Sequence, residues 1–356
     1  MLVILKQDCT EDQRRDVLRR VRALGCTPLA VPGRHRTAVC ITGNKGALSP
    51  SEFGGLPGVL EAISVTRPYK LVSREVQPKS SVVRVGEVAI GGDSPPVLIG
   101  GPCSVEDEEG TLAIARGVRA AGARLFRAGA YKPRTSPYSF QGLGEEGLRI
   151  LARVREELEL PVVSEVVDER SAELGAEVLD VLQIGARNMQ NFTLLRCVGR
   201  LGRPVLLKRG ASATLDEWLM AAEYLLAEGC HDVILCERGI RSFSDHARNT
   251  LDLSVVPRVR AVSHLPILVD PSHGTGDRAR VRALGRAALA AGAHGLLVEA
   301  HVDPTVALSD AAQTIDLQEL EGLTRDAELL RGLEVLGREP AHEDSNSATD
   351  SLVGTP

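Results

Sequence analysis

The sequence predicts a (β/α)8 TIM barrel preceded by a small ferredoxin-like α+β domain. Three observations carry this. Eight short apolar runs recur at 97–100, 124–127, 161–164, 181–184, 204–207, 232–235, 266–269 and 295–298, each followed by helical sequence. Ala-rich stretches such as 111–121 and 218–227 separate them, and only 3% of the chain is aromatic. The core must therefore be aliphatic, as in a parallel sheet covered by helices. Before residue 71 the order changes to β-α-β-β-α-β, which suits a ferredoxin-like unit. An open doubly wound sheet is the alternative. It usually carries G-x-G-x-x-G after its first strand, where this chain reads Gly100-Gly101-Pro102.

In residues 1–70, a strand at 2–5 leads to a helix capped by Thr10, with Gln13 completing a capping box. Val17, Val21 and Leu24 line one face of that helix, and Gly25 ends it. Strands at 28–31 and 37–41 flank a turn at Pro32-Gly33. Ser49-Pro50-Ser51-Glu52 starts a second helix, kept short or broken by Gly54, Gly55 and Pro57. A strand at 62–65 closes the unit. Residues 71–96 form a polar connector with one hairpin, 82–85 against 88–90. The barrel occupies 97–338. Thr214 and Glu217 cap one of its helices, and a final helix covers 316–336. Residues 339–356 are polar and rich in small side chains, so they read as a disordered tail without a catalytic role.

Composition narrows the function. At roughly 150 residues per domain, 356 residues imply about two domains. A net charge of −5 argues against nucleic acid or an acidic membrane as partner. The seven cysteines form no C-x-x-C pair, which argues against a disulfide framework and a zinc ribbon. The apolar start at 1–6 is too short for a signal peptide, and no apolar run approaches the ~20 residues of a membrane span. The expectation is a reduced, cytoplasmic protein.

Nearly every barrel strand ends in a charged or reactive residue: Cys103; Arg127 with Lys132 and Arg134; Glu165; Arg187; Lys208-Arg209; Glu237-Arg238; Asp270 with His273; and Glu299 with Asp310 beyond it. In a barrel these ends converge on the face that bears active sites. Any one of them alone reads as an ordinary surface ion pair or a structural side chain. Two chemistries separate. Arg127, Lys132, Arg134, Arg187, Lys208, Arg209 and Arg238 are too many like charges for one mouth unless anions fill it. Two phosphates and a carboxylate would suit them, because the guanidinium fork binds two oxygens at once. Cys103, His273, Glu299 and Asp310 form a metal set, brought together because barrel closure makes the first and last strands neighbours. One sulfur, one nitrogen and two oxygens fit a single divalent Mn, Fe, Co or Zn ion rather than calcium.

The runs Gly100-Gly101-Pro102-Cys103-Ser104, Lys132-Pro133-Arg134-Thr135-Ser136-Pro137, Gly185-Ala186-Arg187-Asn188, Leu207-Lys208-Arg209-Gly210 and Asp270-Pro271-Ser272-His273 resemble 3-deoxy-D-arabino-heptulosonate 7-phosphate synthases of the short bacterial form. The resemblance covers about 95–320 in order, and Lys-Pro-Arg-Thr-Ser is its most specific part. At Asp277 the chain departs from the basic residue many relatives carry. The resemblance implies condensation of phosphoenolpyruvate with erythrose 4-phosphate, the first step of the shikimate pathway to the aromatic amino acids. It implies Cys103, His273, Glu299 and Asp310 as metal ligands. It implies Arg127, Lys132, Arg187, Lys208 and Arg238 at phosphoenolpyruvate, with Arg134 and Thr135 at the aldose phosphate; Ser136 joins the substrate-binding residues. Lys132, Glu165 and His273 make up the catalytic set: Lys132 as proton donor to the forming hydroxyl, Glu165 positioning the water, His273 on the metal. It also implies feedback inhibition by an aromatic amino acid through residues 1–70, and a homo-oligomer, often a tetramer.

Two rivals remain. The 3-deoxy-D-manno-octulosonate 8-phosphate synthases share the barrel and the metal set, but usually read Lys-Ala-Asn-Arg-Ser where this chain reads Lys132-Pro133-Arg134-Thr135-Ser136. An inactive regulatory barrel would be expected to have lost a ligand or a substrate cation, and every one is present.

Overall fold

An unbroken apolar run makes β1 (Leu2–Leu5) a strand with two buried faces. The computed structural model describes residues 1–32, 36–43, 48–63, 68–133 and 138–337. Helix α1 (Glu11–Ala23) starts at the Thr10–Gln13 capping box and lays Val17 and Val21 on the sheet. Strands β2 (Thr27–Pro32), β3 (Thr37–Thr42) and β4 (Val59–Ile63) complete an antiparallel sheet in the order β2-β3-β1-β4. One face, with Val3, Leu5, Val39 and Ile41, packs on α1 and on Phe53 of α2 (Ser51–Gly54). Leu2 and Cys40, on the other face, join Tyr69, Leu71 and Val72 in the main core.

Two boundaries differ from expectation. Pro50 adopts the helical conformation as the residue before α2, and Ser49 Oγ pairs with Ser51, its hydroxyl at 2.7 Å and its N–H at 3.4 Å. The closing strand starts at Val59, because Gly58 (φ +83°) ends the preceding turn earlier than the apolar pattern suggests. The turn at Gly33, residues 64–65 and the tail 339–356 lie outside the described residues.

The connector hairpin, β5 (Val82–Val85) against β6 (Val88–Gly91), turns Val83, Val85, Val88 and Ile90 onto the residues that fill the barrel. The barrel closes through eight parallel strands: β7 (Val97–Gly101), β8 (Leu125–Arg127), β9 (Val162–Val166), β10 (Val181–Ile184), β11 (Val205–Lys208), β12 (Val233–Glu237), β13 (Ile267–Val269) and β14 (Gly295–Glu299). β14 pairs with β7, Leu296 opposite Leu98 and Glu299 opposite Gly101, which makes the first and last strands neighbours. The intervening helices include α3 (Glu108–Ala120), α4 (Glu145–Leu158), α5 (Glu169–Val178), α6 (Phe192–Arg200), α7 (Leu215–Ala227), α8 (Val255–Val262), α9 (Pro271–Thr275) and α10 (Arg278–Ala290), and α11 (Leu317–Gly337) follows β14. The Thr214–Glu217 capping box starts α7, and Asp277 caps α10 by accepting from Ala279 N. No helix among the described residues is long and apolar enough to cross a membrane, and the seven cysteines are free thiols.

At the bottom of the barrel His294 stitches three strands. Its Nδ1 accepts from Ile267 N at 3.1 Å, and its carbonyl accepts from Val97 N at 3.0 Å. Burial, with Arg260 nearby, lowers its pKa from about 6.5 to about 4. The folded state therefore favours neutral imidazole, and the unfolded chain binds the proton more readily. This contribution is whole above pH 6.5 and is lost as pH falls toward 4. Between pH 7 and pH 5 it removes about 2 kcal/mol of stability. In urea titrations at the two pH values, His294→Asn should lose correspondingly less than wild type; equal losses would refute the assignment.

Candidate active site at the barrel mouth

Period-two alternation builds the site. Leu125, Val163, Val181, Leu206, Cys236, Leu268 and Leu297 fill the barrel interior. Two residues further along each strand stand Arg127, Glu165, Gln183, Lys208, Arg238, Asp270 and Glu299. The same inward rows that make the core therefore deliver the functional side chains one layer higher. On β7 the corresponding residue is Gly101, where a Cβ would lie 2.1 Å from the Arg127 carbonyl oxygen. Only glycine lets β7 pass this close and deliver Cys103.

Cys103, Glu299 and Asp310 offer ligand atoms within 4.8 Å of one another. The Cys103 thiol donates to Asp310 Oδ2 at 3.0 Å. Burial, then Glu299, pushes that thiol up to about 11. Asp310 is a non-glycine residue in the left-handed region (φ +54°), a conformation Asp tolerates better than most. Burial opposes its ionisation, yet the thiol, His273 and Arg248 hold its pKa at about 2. His273 stands beside the trio, its Nε2 3.4 Å from Glu299 Oε1. Its Nδ1 faces Asp270 Oδ2 at 2.8 Å, which leaves Nε2 for the cluster. Burial lowers its pKa and keeps the ring neutral, as a ligand nitrogen must be. Crowded sulfur and carboxylate donors of this kind suit a divalent cation, which makes the thiolate available at neutral pH.

Cations surround the cluster. Arg127, 3% exposed, donates from one terminal nitrogen to Glu299 Oε1 at 3.1 Å and to the Pro102 carbonyl at 2.8 Å. Its Nε is buried and has no hydrogen-bond partner among the described residues. Lys132 Nζ donates to the Cys103 carbonyl at 2.8 Å. Lys208 Nζ donates to Asp270 Oδ2 at 2.6 Å. Burial would raise the Asp270 pKa, but His273 and Lys208 hold it well below the usual carboxylate range. Above this floor opens a cavity of about 600 Å³, bordered by Lys132, Glu165, Arg187, Arg238, His273 and Asp310. Glu165 accepts from Gln183 Nε2 at 3.5 Å and lies against Gly185, where a Cβ would fall 1.9 Å from its Oε1.

Of the expected site residues, Cys103, Arg127, Lys132, Glu165, Arg187, Lys208, Arg238, His273, Glu299 and Asp310 come together at this mouth. Arg134, Thr135 and Ser136 lie outside the described residues. Arg209 is a correction: it is taken up by Glu237 and Asp252 and does not border the cavity. One step out of phase with Lys208, it points away from the interior.

Several residues were missed from sequence. Arg241 and Arg248 border the cavity from the long connection after β12, whose ends are tied by the Ile240–Thr250 bridge. Arg248 also reaches Gln313 Oε1 at 3.0 Å, and Gln313 Nε2 donates to Glu299 Oε2. The length of that connection was a signal for the two arginines. Gln183 was readable from the strand period, whereas nothing local marks Gln313.

Comparison with known proteins agrees with this arrangement. Residues 71–333 match the model of the DAHP synthetase I family, and residues 1–67 match that of the DAHP synthase ferredoxin-like domain. A phospho-2-dehydro-3-deoxyheptonate aldolase of Thermotoga maritima is 45% identical over 330 residues, covering 93% of this chain and 97% of that protein. A 2-dehydro-3-deoxyphosphooctonate aldolase of Syntrophotalea carbinolica is 37% identical over 257 residues, covering 67% of this chain and 92% of that protein. The crystal structure of the Thermotoga maritima DAHP synthase superposes with a TM-score of 0.74 at 43% identity, covering 94% of this chain and 97% of the other. A truncated form of the Thermotoga maritima enzyme superposes at 0.69 with 44% identity, over 76% of this chain and 98% of that one. With a closed barrel, a ferredoxin-like sheet before it and a thiol–carboxylate cluster at the mouth, the chain belongs to the DAHP synthetase I family.

Proposed function

We propose that this protein condenses phosphoenolpyruvate with D-erythrose 4-phosphate and water, giving 3-deoxy-D-arabino-heptulosonate 7-phosphate and inorganic phosphate. The observation that carries this is the Cys103–Glu299–Asp310 cluster beneath a cavity rimmed by cations. Cys103, His273, Glu299 and Asp310 would hold one divalent ion, of manganese, iron, cobalt or zinc. When bound, such an ion supplies Lewis-acid polarisation of the aldehyde.

The chain's own residues do the rest. Arg127, Lys132, Arg187, Lys208 and Arg238 bind the phosphate and carboxylate of phosphoenolpyruvate and hold C3 toward the aldehyde carbon. Arg134 and Thr135 take the aldose phosphate, and Ser136 joins the substrate-binding residues. As C3 bonds to the aldehyde carbon, Lys132 Nζ gives its proton to the oxygen that becomes hydroxyl. Glu165 positions the water that adds at C2, after which the C2–O bond to phosphate breaks. Residues 1–70 form a regulatory domain for an aromatic amino acid, 71–96 a connector and 97–338 the catalytic barrel of a tetramer. The heptulosonate reading is favoured over the octulosonate one because the Thermotoga relative spans both domains, whereas the Syntrophotalea protein covers 67% of this chain.

One assay tests the whole reading. Phosphate release is followed from phosphoenolpyruvate with erythrose 4-phosphate or with arabinose 5-phosphate, with and without chelator and each aromatic amino acid. It is repeated on a chain that begins at residue 68. The cut must spare Lys70, Leu71 and Val72, whose N–H groups the Glu223 carboxylate accepts. Turnover is expected with erythrose 4-phosphate only. Chelation should remove it, and the shortened chain should keep turnover but lose inhibition. Preference for arabinose 5-phosphate would overturn the assignment.

A further inference from the structure

Arg209 follows Lys208 in sequence but faces the opposite way, into the layer between barrel and helices. It is 6% exposed. One terminal nitrogen donates to Glu237 Oε2 at 3.0 Å and to Asp252 Oδ2 at 2.9 Å, and Nε donates to the Ala213 carbonyl at 3.0 Å. The guanidinium lies 5.9 Å from the ring centre of buried Trp218. Every partner stands at the root of a cavity wall. Residues 210–213 border the cavity, and their turn closes on Gly210 through Ala213 N. Glu237 precedes Arg238, and its Oε1 accepts from Gly239 N at 2.6 Å. Asp252 ends the connection that carries Arg241 and Arg248, and Arg241 N donates to the Ala211 carbonyl at 2.7 Å, joining the two walls.

We propose that Arg209 is a positioning residue that fixes both walls of the anion cavity, and so sets affinity for phosphoenolpyruvate without touching it. This rests on the functional reading above. A buried ion pair is weak evidence for stability, since apolar isosteres often replace one at no loss. What an apolar isostere lacks is a planar fork holding two carboxylates and a carbonyl at once. Lysine lacks it too, though it keeps the charge.

The test is Arg209→Lys in the full chain, with Asp252→Asn as a second, milder variant. KM for phosphoenolpyruvate should rise about tenfold in Arg209→Lys and several-fold in Asp252→Asn, with kcat within about twofold of wild type. Melting temperature should move by a few degrees at most. Equilibrium titration with phosphoenolpyruvate, followed through the emission of Trp218, the sole tryptophan of the chain, should show the same weakening. Unchanged KM and unchanged titration in an active background would overturn the proposal, as would kcat falling in parallel with melting temperature. A wild-type protein that releases no phosphate from the two substrates would instead strike the functional reading.

Discussion

Cys103→Ala is expected to bring phosphate release down by two orders of magnitude or more, and to leave the purified protein short of bound metal. The thiol is 2% exposed, and its side-chain hydrogen bond goes to Asp310, so the substitution removes a donor atom without opening the core. The barrel should melt near the wild-type temperature, because the lost volume is that of a single sulfur. Glu299 and Asp310 remain as hard oxygen donors beside His273, so Cys103→Ser should shift preference toward ions that favour oxygen. Elemental analysis of protein reconstituted with manganese or zinc, alongside turnover, reads both effects. Full metal content with full turnover in Cys103→Ala would remove the cluster from the mechanism.

Arg127→Met has the second-largest expected effect, and it has two parts. Arg127 is the guanidinium that Glu299 faces at 3.1 Å, both side chains being buried. Burial alone would raise the Glu299 pKa, but His273 and Arg127 hold it below its ordinary value. Removing one partner of such a pair costs about 3 kcal/mol, because the remaining charge stays in a medium that solvates it poorly. The second part is catalytic. If Arg127 binds phosphoenolpyruvate as proposed, kcat/KM should fall about a thousandfold. Arg127→Lys separates the parts: its charge recovers most of the stability and its missing fork little of the activity. Urea denaturation and steady-state kinetics measure them independently. Equal recovery of both would show that the charge, not the fork, matters.

Most of this site could be read from the sequence because one regularity generates it. The barrel strands place alternate residues inside, so Leu206 and Lys208, or Leu297 and Glu299, are successive members of one inward row. Read together, apolar run and charged end place the charged residue at the barrel mouth. Proximity in sequence alone misleads: Arg209, next to Lys208, is out of phase and pairs with Glu237 and Asp252, while Gln183 is in phase but carries no charge to mark it. Five strands run past their apolar run; β9 continues through Glu165 to Val166, because the inward charged residue still belongs to the ladder. Arg248 and Gln313 depend on contacts between the connection after β12 and the segment after β14, and no local pattern encodes those. In the small domain, Pro50 and Gly58 shifted boundaries through backbone geometry that hydrophobic pattern does not register.

The hairpin of β5 and β6 closes the barrel's lower end with Val83, Val85, Val88 and Ile90. Above it Leu125, Val163, Val181, Leu206 and Cys236 plug the interior, so the floor of the cavity is approached from the mouth. A molecule held at Arg127 and Lys208 would therefore enter and leave by one opening, past Arg187 and Arg238 on the cavity wall.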